Sequence, residues 1–297
     1  MTQEAGAGPL PPHLLERLGG LEFVARRVVE GFVAGAHRSP YRGAGEEFAR
    51  HRAYQQGDPL RHIDWRVYAR SDRLFVREYR ENSSLHCWVI VDATLSMGYR
   101  DVEGITKLRY AAFLAAALTH IMLRAGDAVG LASGSDAPLL HIPPRNRRGQ
   151  LHDLLLELET LRARGSTPVA AVVDAAAAVL RRRGRVVVIS DLLADDDGAA
   201  LLSAVGRLRA RGSEVAVLRV LTPEESGRRV LGDAMFFDPE RDRETVVGST
   251  ADGAYRRRLN EYYATIADGL RERGAEYVEA DTDEPVEHAL SAWLLAR

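Results

Sequence analysis

The sequence has 297 residues and a formal net charge of −2, because 40 Lys and Arg residues are set against 42 Asp and Glu residues. A chain of this length buries about three-quarters of its unfolded surface on folding, so its core needs no disulfide or structural metal. The single cysteine, Cys87, excludes an internal disulfide and a cysteine-rich zinc site. The near-neutral charge excludes a protein that coats nucleic acid, and we expect no nucleic-acid partner.

The beginning of the sequence carries no targeting pattern. Residues 1–12 are small, polar and rich in Pro and Gly, which predicts a disordered arm. The longest apolar helix-like segment, residues 110–123, is shorter than the ~20 residues that span a bilayer, and it contains His120. We therefore expect a cytoplasmic protein without a membrane span. The oligomeric state does not follow from the sequence.

The first third of the chain changes character twice. Over residues 13–33 the apolar side chains recur at helical spacing, which predicts an amphipathic helix with a break near Gly19 and Gly20. Residues 37–80 are rich in His, Arg, Tyr, Gly and Asp and poor in apolar side chains. We expect this segment to form no core of its own.

Beyond residue 80, apolar strand-like runs alternate with helical segments. We predict strands at 86–91, 128–133, 138–142, 185–189, 214–220 and 276–279, a short strand at 245–247, and helices at 107–124, 150–161, 169–183, 198–211, 255–273 and 285–295. Continuous apolar strands separated by helices predict a mostly parallel sheet covered on both faces. In such sheets ligands bind beyond the carboxyl ends of the strands.

Polar side chains follow two of these buried strands. Asp92, Thr94 and Ser96 form a DxTxS run after the first strand, and Asp191 follows the strand at 185–189. Carboxylate and hydroxyl oxygens are hard ligands that suit Mg²⁺ or Mn²⁺ rather than zinc. Thr167 adds a third hydroxyl, although before Pro168 it is also an ordinary helix cap. Asp191 is alternatively a cap for the segment that follows it.

Two common nucleotide motifs are missing from the sequence. No GxGxxG follows the first strand, which argues against dinucleotide binding, and no GxxxxGK[ST] occurs, which excludes a P-loop ATPase.

The DxTxS run and its distant partners resemble the metal-ion-dependent adhesion site of von Willebrand factor A domains, which combines DxSxS with a distant Thr and a distant Asp. Residue by residue the match is Asp92, Thr94, Ser96, Thr167 and Asp191, with Thr94 in place of the family's serine. The resemblance implies a three-layer, Rossmann-like α/β fold of the von Willebrand factor A type, with a mostly parallel central sheet flanked by helices. It also implies a cation at the top of the sheet whose open position receives a partner's carboxylate.

A second resemblance is carried by residues 37–80. Y-x-x-G-D at 54–58, R-x-I-D-W at 61–65 and A-R at 69–70 resemble the signature of the domain-of-unknown-function 58 family, which precedes a von Willebrand A-like domain. That family implies an adaptor or co-chaperone of a MoxR-type AAA+ ATPase. We expect Trp65 to be an apolar anchor of this segment. Asp58, Arg61, Asp64 and Arg70 are expected to form a partly buried charge network that braces it, the alternative being a partner surface.

The expected organisation is a disordered arm at 1–12, an N-terminal helix and an irregular or β extension with the family signature at 13–80 packed on the core, and a von Willebrand factor A-like domain at 81–297. Three functions stay open. The first, which we favour, is a non-catalytic module that binds an acidic side chain of a protein through Mg²⁺ or Mn²⁺. The second is a Mg²⁺-dependent phosphoester hydrolase in which Asp92 and Asp191 hold the ion, although no general base is evident. The third is a metal site with a structural role alone.

Overall fold

The computed structural model describes residues 9–35, 47–54, 63–71, 73–80, 85–100, 104–135, 138–180, 183–194, 198–226, 228, 234–238, 243–247 and 252–295. Residues 1–8 of the predicted arm lie outside this part of the chain. The elements in chain order are α1 (Pro12–Leu18), α2 (Leu21–Gly35), β1 (Glu47–Ala53), α3 (Trp65–Ser71), β2 (Phe75–Arg80), β3 (His86–Asp92), α4 (Lys107–Arg124), β4 (Ala128–Gly134), β5 (Pro138–Arg145), α5 (Gln150–Thr160), α6 (Val169–Val179), β6 (Gly184–Ser190), α7 (Ala199–Ala210), β7 (Glu214–Leu221), β8 (Ala234–Asp238), β9 (Arg243–Val247), α8 (Asp252–Glu272), β10 (Glu276–Asp281) and α9 (Val286–Leu295).

A six-stranded sheet with the order β10-β7-β6-β3-β4-β5 forms the centre of the fold. Five strands are parallel, and the edge strand β5 runs antiparallel to β4. Both faces of the sheet are covered. Helices α1, α2, α4, α5 and α9 contribute to the apolar cluster on one face, and α6, α7 and α8 contribute to the cluster on the other. The predicted three-layer α/β fold class is confirmed.

The position of β3 in the middle of the sheet explains why the sequence of this strand is apolar without interruption. Cys87, Val89 and Val91 point into the first cluster, whereas Trp88 and Ile90 point into the second. Alternate residues of a strand face opposite sides, so a strand covered on both sides has no position left for a polar residue until its end. In β3 that end is Asp92.

Most predicted elements agree with the structure to within one or two residues at each end. The break at Gly19 and Gly20 separates α1 from α2, and α4 has the predicted bounds. Helix α6 is shorter than predicted and ends at Val179, because the chain then extends at Leu180 towards the first residue of β6. The extension was predicted to be irregular or β structure without strand bounds, and β1 and β2 form a two-stranded antiparallel sheet there. The antiparallel hairpin β8–β9 was missed apart from residues 245–247.

The expectation that Trp65 is a buried anchor is wrong. Its side chain is 58% exposed on α3 and makes an edge-to-face contact with Tyr68 at 6.1 Å between ring centroids. Burial in this segment comes instead from Ile63 and Val76, which bridge the start of α3 to β2.

The predicted charge network of this segment is only partly within the described residues. Asp64 is buried and accepts a hydrogen bond from the Val67 N–H at 3.2 Å, so it caps α3, while Arg70 is exposed. Asp58 and Arg61 lie outside the described residues. Among the described helices, none is both long and apolar enough to cross a membrane.

Candidate metal centre

The candidate site lies at the carboxyl ends of two adjacent strands, β3 and β6. From β3 the chain continues through α4 to β4 on one side, and from β6 it continues through α7 to β7 on the other. The two connecting helices cover opposite faces of the sheet. A crevice forms where the connections that follow two neighbouring strands leave towards opposite faces of the sheet. It is the usual place for a ligand in an open α/β sheet.

Asp92, Thr94 and Ser96 converge in this crevice. Thr94 donates from its backbone N–H and from its hydroxyl to Asp92 Oδ1, at 3.0 and 2.8 Å, and its Oγ1 lies 3.2 Å from Ser96 Oγ. All three side chains are buried. The 3-10 turn at Leu95–Gly98 produces this convergence, because it folds the chain back directly after the strand.

The spacing of these oxygens fits a small divalent cation. Octahedral Mg²⁺ holds its oxygens at 2.0–2.1 Å, which places neighbouring ligand oxygens about 2.9 Å apart. The separations of 2.8 Å from Asp92 Oδ1 to Thr94 Oγ1 and of 3.2 Å from Thr94 Oγ1 to Ser96 Oγ lie on either side of that value. Within the described residues no group of three or more His, Cys, Asp or Glu side chains is suited to hold a metal ion. Any metal here would therefore depend on the two hydroxyls.

The Asp92 carboxylate is poorly solvated. Burial raises its pKa to about 6, and the negative charge of Asp191 acts in the same direction. Hydrogen bonds from Ser190 and Thr94 oppose the rise in pKa without cancelling it. A cation bound near these two buried carboxylates would reduce the electrostatic repulsion between them and favour their charged forms.

Asp191 lies beside the site, but its carboxylate is already engaged. Its Oδ2 accepts a hydrogen bond of 2.7 Å from the Lys107 ammonium, and its Oδ1 accepts the Leu193 N–H at 3.2 Å. The second bond is the local cap that was the alternative interpretation of this residue. Lys107 also donates to Glu225 Oε1 at 3.0 Å. Asp191 thus belongs to a buried ion cluster next to the three convergent oxygens.

Thr167 lies in the loop that follows α5 and that borders the DxTxS segment. The backbone of Gly165 accepts the Leu95 N–H at 3.1 Å, and the Thr167 N–H donates to Ser135 O at 2.9 Å. Helix α6 is preceded by Pro168 and has no side-chain cap, so the interpretation of Thr167 as a helix cap is wrong. Within the part of the chain that the structure describes, its hydroxyl makes no hydrogen bond to Asp92, Thr94 or Ser96.

Two residues that the sequence analysis did not assign complete the site. Ser190, the last residue of β6, donates from its hydroxyl to Asp92 Oδ2 at 2.6 Å. Lys107, the first residue of α4, is 1% exposed and carries a pKa raised by its two carboxylate partners against the effect of burial. One signal was available for Lys107, because it is the only lysine of the sequence.

Three exposed apolar side chains lie near the site. Leu95 is 37% exposed, Tyr99 42% and Leu193 43%. Leu95 lies between the two hydroxyl residues, Leu193 follows Asp191 by two positions, and the Tyr99 ring centroid is 5.7 Å from Lys107 Nζ. These three residues are termed the apolar rim below.

A sequence model of the family described as "Protein of unknown function DUF58" matches residues 50–267. The chain belongs to the DUF58 family. A similar protein is the uncharacterized protein Rv1480 of Mycobacterium tuberculosis, which is 29% identical over 279 residues, or 92% of this chain and 86% of that protein. The uncharacterized protein YeaD of Bacillus subtilis is 29% identical over 82 residues, which cover 28% of this chain and 18% of that protein.

Solved structures similar to this DUF58 chain share its fold at low identity. The conserved hypothetical protein BatB from Bacteroides thetaiotaomicron has a TM-score of 0.50 and 17% identity, over 71% of this chain and 98% of that one. An aerotolerance-related membrane protein from Bacteroides fragilis, with multiple mutations to serines, has a TM-score of 0.51 and 19% identity, over 72% and 100%. At these identities the likeness concerns the fold alone.

Proposed function

We propose that this DUF58 protein is a non-catalytic, metal-dependent module that binds a protein partner. The observation that carries the proposal is the convergence of the Asp92, Thr94 and Ser96 side-chain oxygens, within 2.8 and 3.2 Å of one another, at the carboxyl end of β3. These three residues would hold Mg²⁺ or Mn²⁺. Thr167 and Asp191 would act from farther away, through water. A bound ion would supply an electrophilic position for an anionic oxygen.

The apolar rim supports a partner of particular chemistry. A cation held by one carboxylate and two hydroxyls keeps a net positive charge, so it favours an acidic side chain. Leu95, Tyr99 and Leu193 around it favour apolar neighbours of that acidic residue, because burying them removes exposed apolar surface from water. The ligand we propose is therefore an Asp or Glu side chain flanked by apolar residues on the surface of the partner.

The partner that we propose is a MoxR-type AAA+ ATPase or its substrate, as the family resemblance implies, and the location that we propose is the cytoplasm. This chain would then act as an adaptor. An acidic, apolar-flanked segment of such an ATPase is the feature to look for.

The alternative, a phosphoester hydrolase, gains no support from Lys107, the basic side chain beside Asp191. A phosphate group would need a basic residue free to hold it. Lys107 is buried between Asp191 and Glu225, and both carboxylates take its hydrogen bonds. We therefore retain the binding module.

The test has two stages. Mn²⁺ binding is titrated for the wild type, for Asp92→Asn, for Thr94→Val and for Asp174→Asn. Asp174 is a matched control, since it is exposed on α6 and paired with Arg207. Binding to the purified MoxR-type ATPase of the same organism is then measured in Mg²⁺ and in excess chelator. We expect metal and partner binding to be lost in Asp92→Asn and Thr94→Val and to be kept in Asp174→Asn. Partner binding of equal strength with and without metal would contradict the proposal.

A further inference from the structure

Lys107 is the only lysine in a sequence that otherwise uses arginine for its basic side chains, and it is 1% exposed. Its ammonium group lies 2.7 Å from Asp191 Oδ2 and 3.0 Å from Glu225 Oε1. A buried charge of this kind is retained only when it is paired and hydrogen-bonded. The ammonium group thus bridges two carboxylates beside the candidate metal centre.

The bridge joins three elements of the fold. Lys107 opens α4, Asp191 follows β6, and Glu225 lies in the turn after β7. The other oxygen of each carboxylate is also engaged, because Asp191 Oδ1 accepts the Leu193 N–H and Glu225 Oε2 accepts the Thr222 N–H at 2.9 Å. Each partner of Lys107 is therefore held in place by the backbone of its own loop.

This arrangement restricts what Asp191 can do for a metal ion. Mg²⁺ needs its oxygen ligands at 2.0–2.1 Å and in near-ideal octahedral geometry. Asp191 Oδ2 is hydrogen-bonded to Lys107 Nζ and Oδ1 to the Leu193 N–H, so two of the four lone-pair positions of the carboxylate are taken and its orientation is fixed by these contacts. The positive charge of Lys107 also repels a second cation placed close by.

We propose that Lys107 is a built-in competitor of the metal, which withholds Asp191 from direct ligation and thereby keeps the affinity of the Asp92 centre for Mg²⁺ low. The inference rests on the proposed function, because it concerns the same centre. Among the described residues, it assigns Asp92 as the one charged ligand of the resting protein. It also assigns Lys107 as a positioning residue that links the centre to the turn after β7.

The side chain found at position 107 suits this role better than arginine does. An ammonium group is a compact point charge that fits between two carboxylates, whereas a guanidinium group is a planar fork that binds one carboxylate side-on. The compact charge reaches both Asp191 and Glu225 in a space with 1% exposure.

The experiment compares Mg²⁺ affinity by calorimetry in the wild type, Lys107→Met, Asp191→Asn and the double variant Lys107→Met, Asp191→Asn. We expect Lys107→Met to bind Mg²⁺ about tenfold tighter or more, since repulsion is removed and a second carboxylate is released. Asp191→Asn alone should change the affinity by less than about threefold, and adding it to Lys107→Met should remove the part of the gain that comes from the released carboxylate and leave the part that comes from the lost repulsion. Melting curves provide a separate readout: Lys107→Met should melt lower than wild type in chelator and show the larger upward shift with Mg²⁺.

The outcomes separate the two proposals. If wild type binds Mg²⁺, Asp92→Asn does not, and Lys107→Met binds equally or more weakly than wild type, the competitor role is wrong while the binding module survives. If neither wild type nor Lys107→Met binds Mg²⁺, both proposals are wrong. Should Lys107→Met fail to fold, Lys107→Gln replaces it, because an uncharged amide still donates hydrogen bonds to the carboxylates. The Mg²⁺ affinity should then still rise, by less than in Lys107→Met because the amide keeps a hydrogen bond to Asp191, and an affinity no higher than that of wild type overturns the inference.

Discussion

The hydroxyl of Ser190 donates a hydrogen bond of 2.6 Å to Asp92 Oδ2, and its oxygen accepts the backbone N–H of Leu192 at 2.9 Å. One serine therefore connects the carboxyl end of β3 with the loop that follows β6. It orients the Asp92 carboxylate so that Oδ1 faces Thr94. The convergence of the candidate metal ligands thus depends on a residue that is not itself one of them.

Replacement of Ser190 by alanine tests this connection. Ser190→Ala leaves a buried carboxylate oxygen and a buried N–H without their partner, and we expect the free energy of unfolding to fall by about 1–3 kcal/mol. Urea unfolding measures the loss. Ser203→Ala is the control, because Ser203 lies on the exposed side of α7 and should change stability by less than about 0.5 kcal/mol. Equal effects of the two substitutions would contradict the role assigned to Ser190.

Glycine at position 184 is required by the close approach of β6 to β3. A Cβ atom there would lie 2.3 Å from the carbonyl oxygen of His86, its register partner across the two strands. Because a backbone atom cannot move away as a side chain does, Gly184→Ala should lower the free energy of unfolding by about 1–3 kcal/mol.

Gly206, inside α7, provides the matched comparison for Gly184. The nearest atoms to an added Cβ there belong to Arg273, at 3.7 and 3.8 Å, which is ordinary contact. Gly206→Ala should therefore raise the free energy of unfolding by about 0.5–1 kcal/mol through helix propensity. Thermal melts should show a lower melting temperature for Gly184→Ala and a higher one for Gly206→Ala. A lower melting temperature for both variants would contradict the conclusion that a Cβ atom fits at position 206.

The sequence predicted the parts of the fold whose signals are local. Helix α4 has its predicted bounds because Thr106 caps it through the Arg109 N–H and Gly126, with φ +93, follows its end. The bounds of β1 and β2 in the predicted irregular or β extension were missed because the sequence of β1, EFARHRA, has no run of apolar residues. Trp65 was misplaced because size and hydropathy do not specify which side of a short helix faces solvent.

The same distinction between local and long-range signals holds for the candidate site. Asp92, Thr94 and Ser96 are neighbours in the chain, so their spacing alone predicted that their oxygens would meet. The contacts that complete the site join residues far apart in sequence: Ser190 is 98 positions from Asp92, and Glu225 is 118 positions from Lys107. Only the order of the strands brings them together, and that order is not contained in any local pattern.

Cys87 is predicted to be inert in the folded protein. It is buried in β3, and burial raises the pKa of its thiol to about 12, with the charge of Asp127 acting in the same direction. A thiol in the unfolded chain ionises near pH 9, so between pH 9 and 12 the unfolded state loses a proton that the folded state keeps. This group therefore contributes stability below pH 9 that is lost as the pH rises towards 12.

The reactivity of Cys87 follows from the same shift, because the thiolate is the nucleophile. Iodoacetamide at pH 8–9 should modify the denatured chain within minutes and leave the folded protein unmodified over hours, as measured by intact mass. Cys87→Ala is the blank for other sites of modification. Equal rates of iodoacetamide modification in the folded and denatured protein would show that the thiol is accessible, which would contradict the burial of Cys87 in β3.

The loop after Asp191 is held in a strained conformation by a tyrosine from α8. Leu192 has φ +60, which is uncommon for a residue other than glycine and costs about 1–3 kcal/mol. The Tyr262 hydroxyl donates to Leu192 O at 2.9 Å and accepts the Ala194 N–H at 3.2 Å. These two hydrogen bonds stabilise the strained conformation of Leu192. We therefore expect Tyr262→Phe to make the loop open more readily while the core stays intact.

Hydrogen exchange measures that release. In Tyr262→Phe the amides of Leu193 and Ala194 should exchange at least tenfold faster, and those of β3 should be unchanged, since local opening does not require global unfolding. Tyr277→Phe is the control, because its hydroxyl donates to Glu279 at 3.0 Å on the far edge strand β10. Unaltered exchange at Leu193 and Ala194 would mean that Ser190 alone fixes the conformation of Leu192, since its oxygen accepts the Leu192 N–H from the other side.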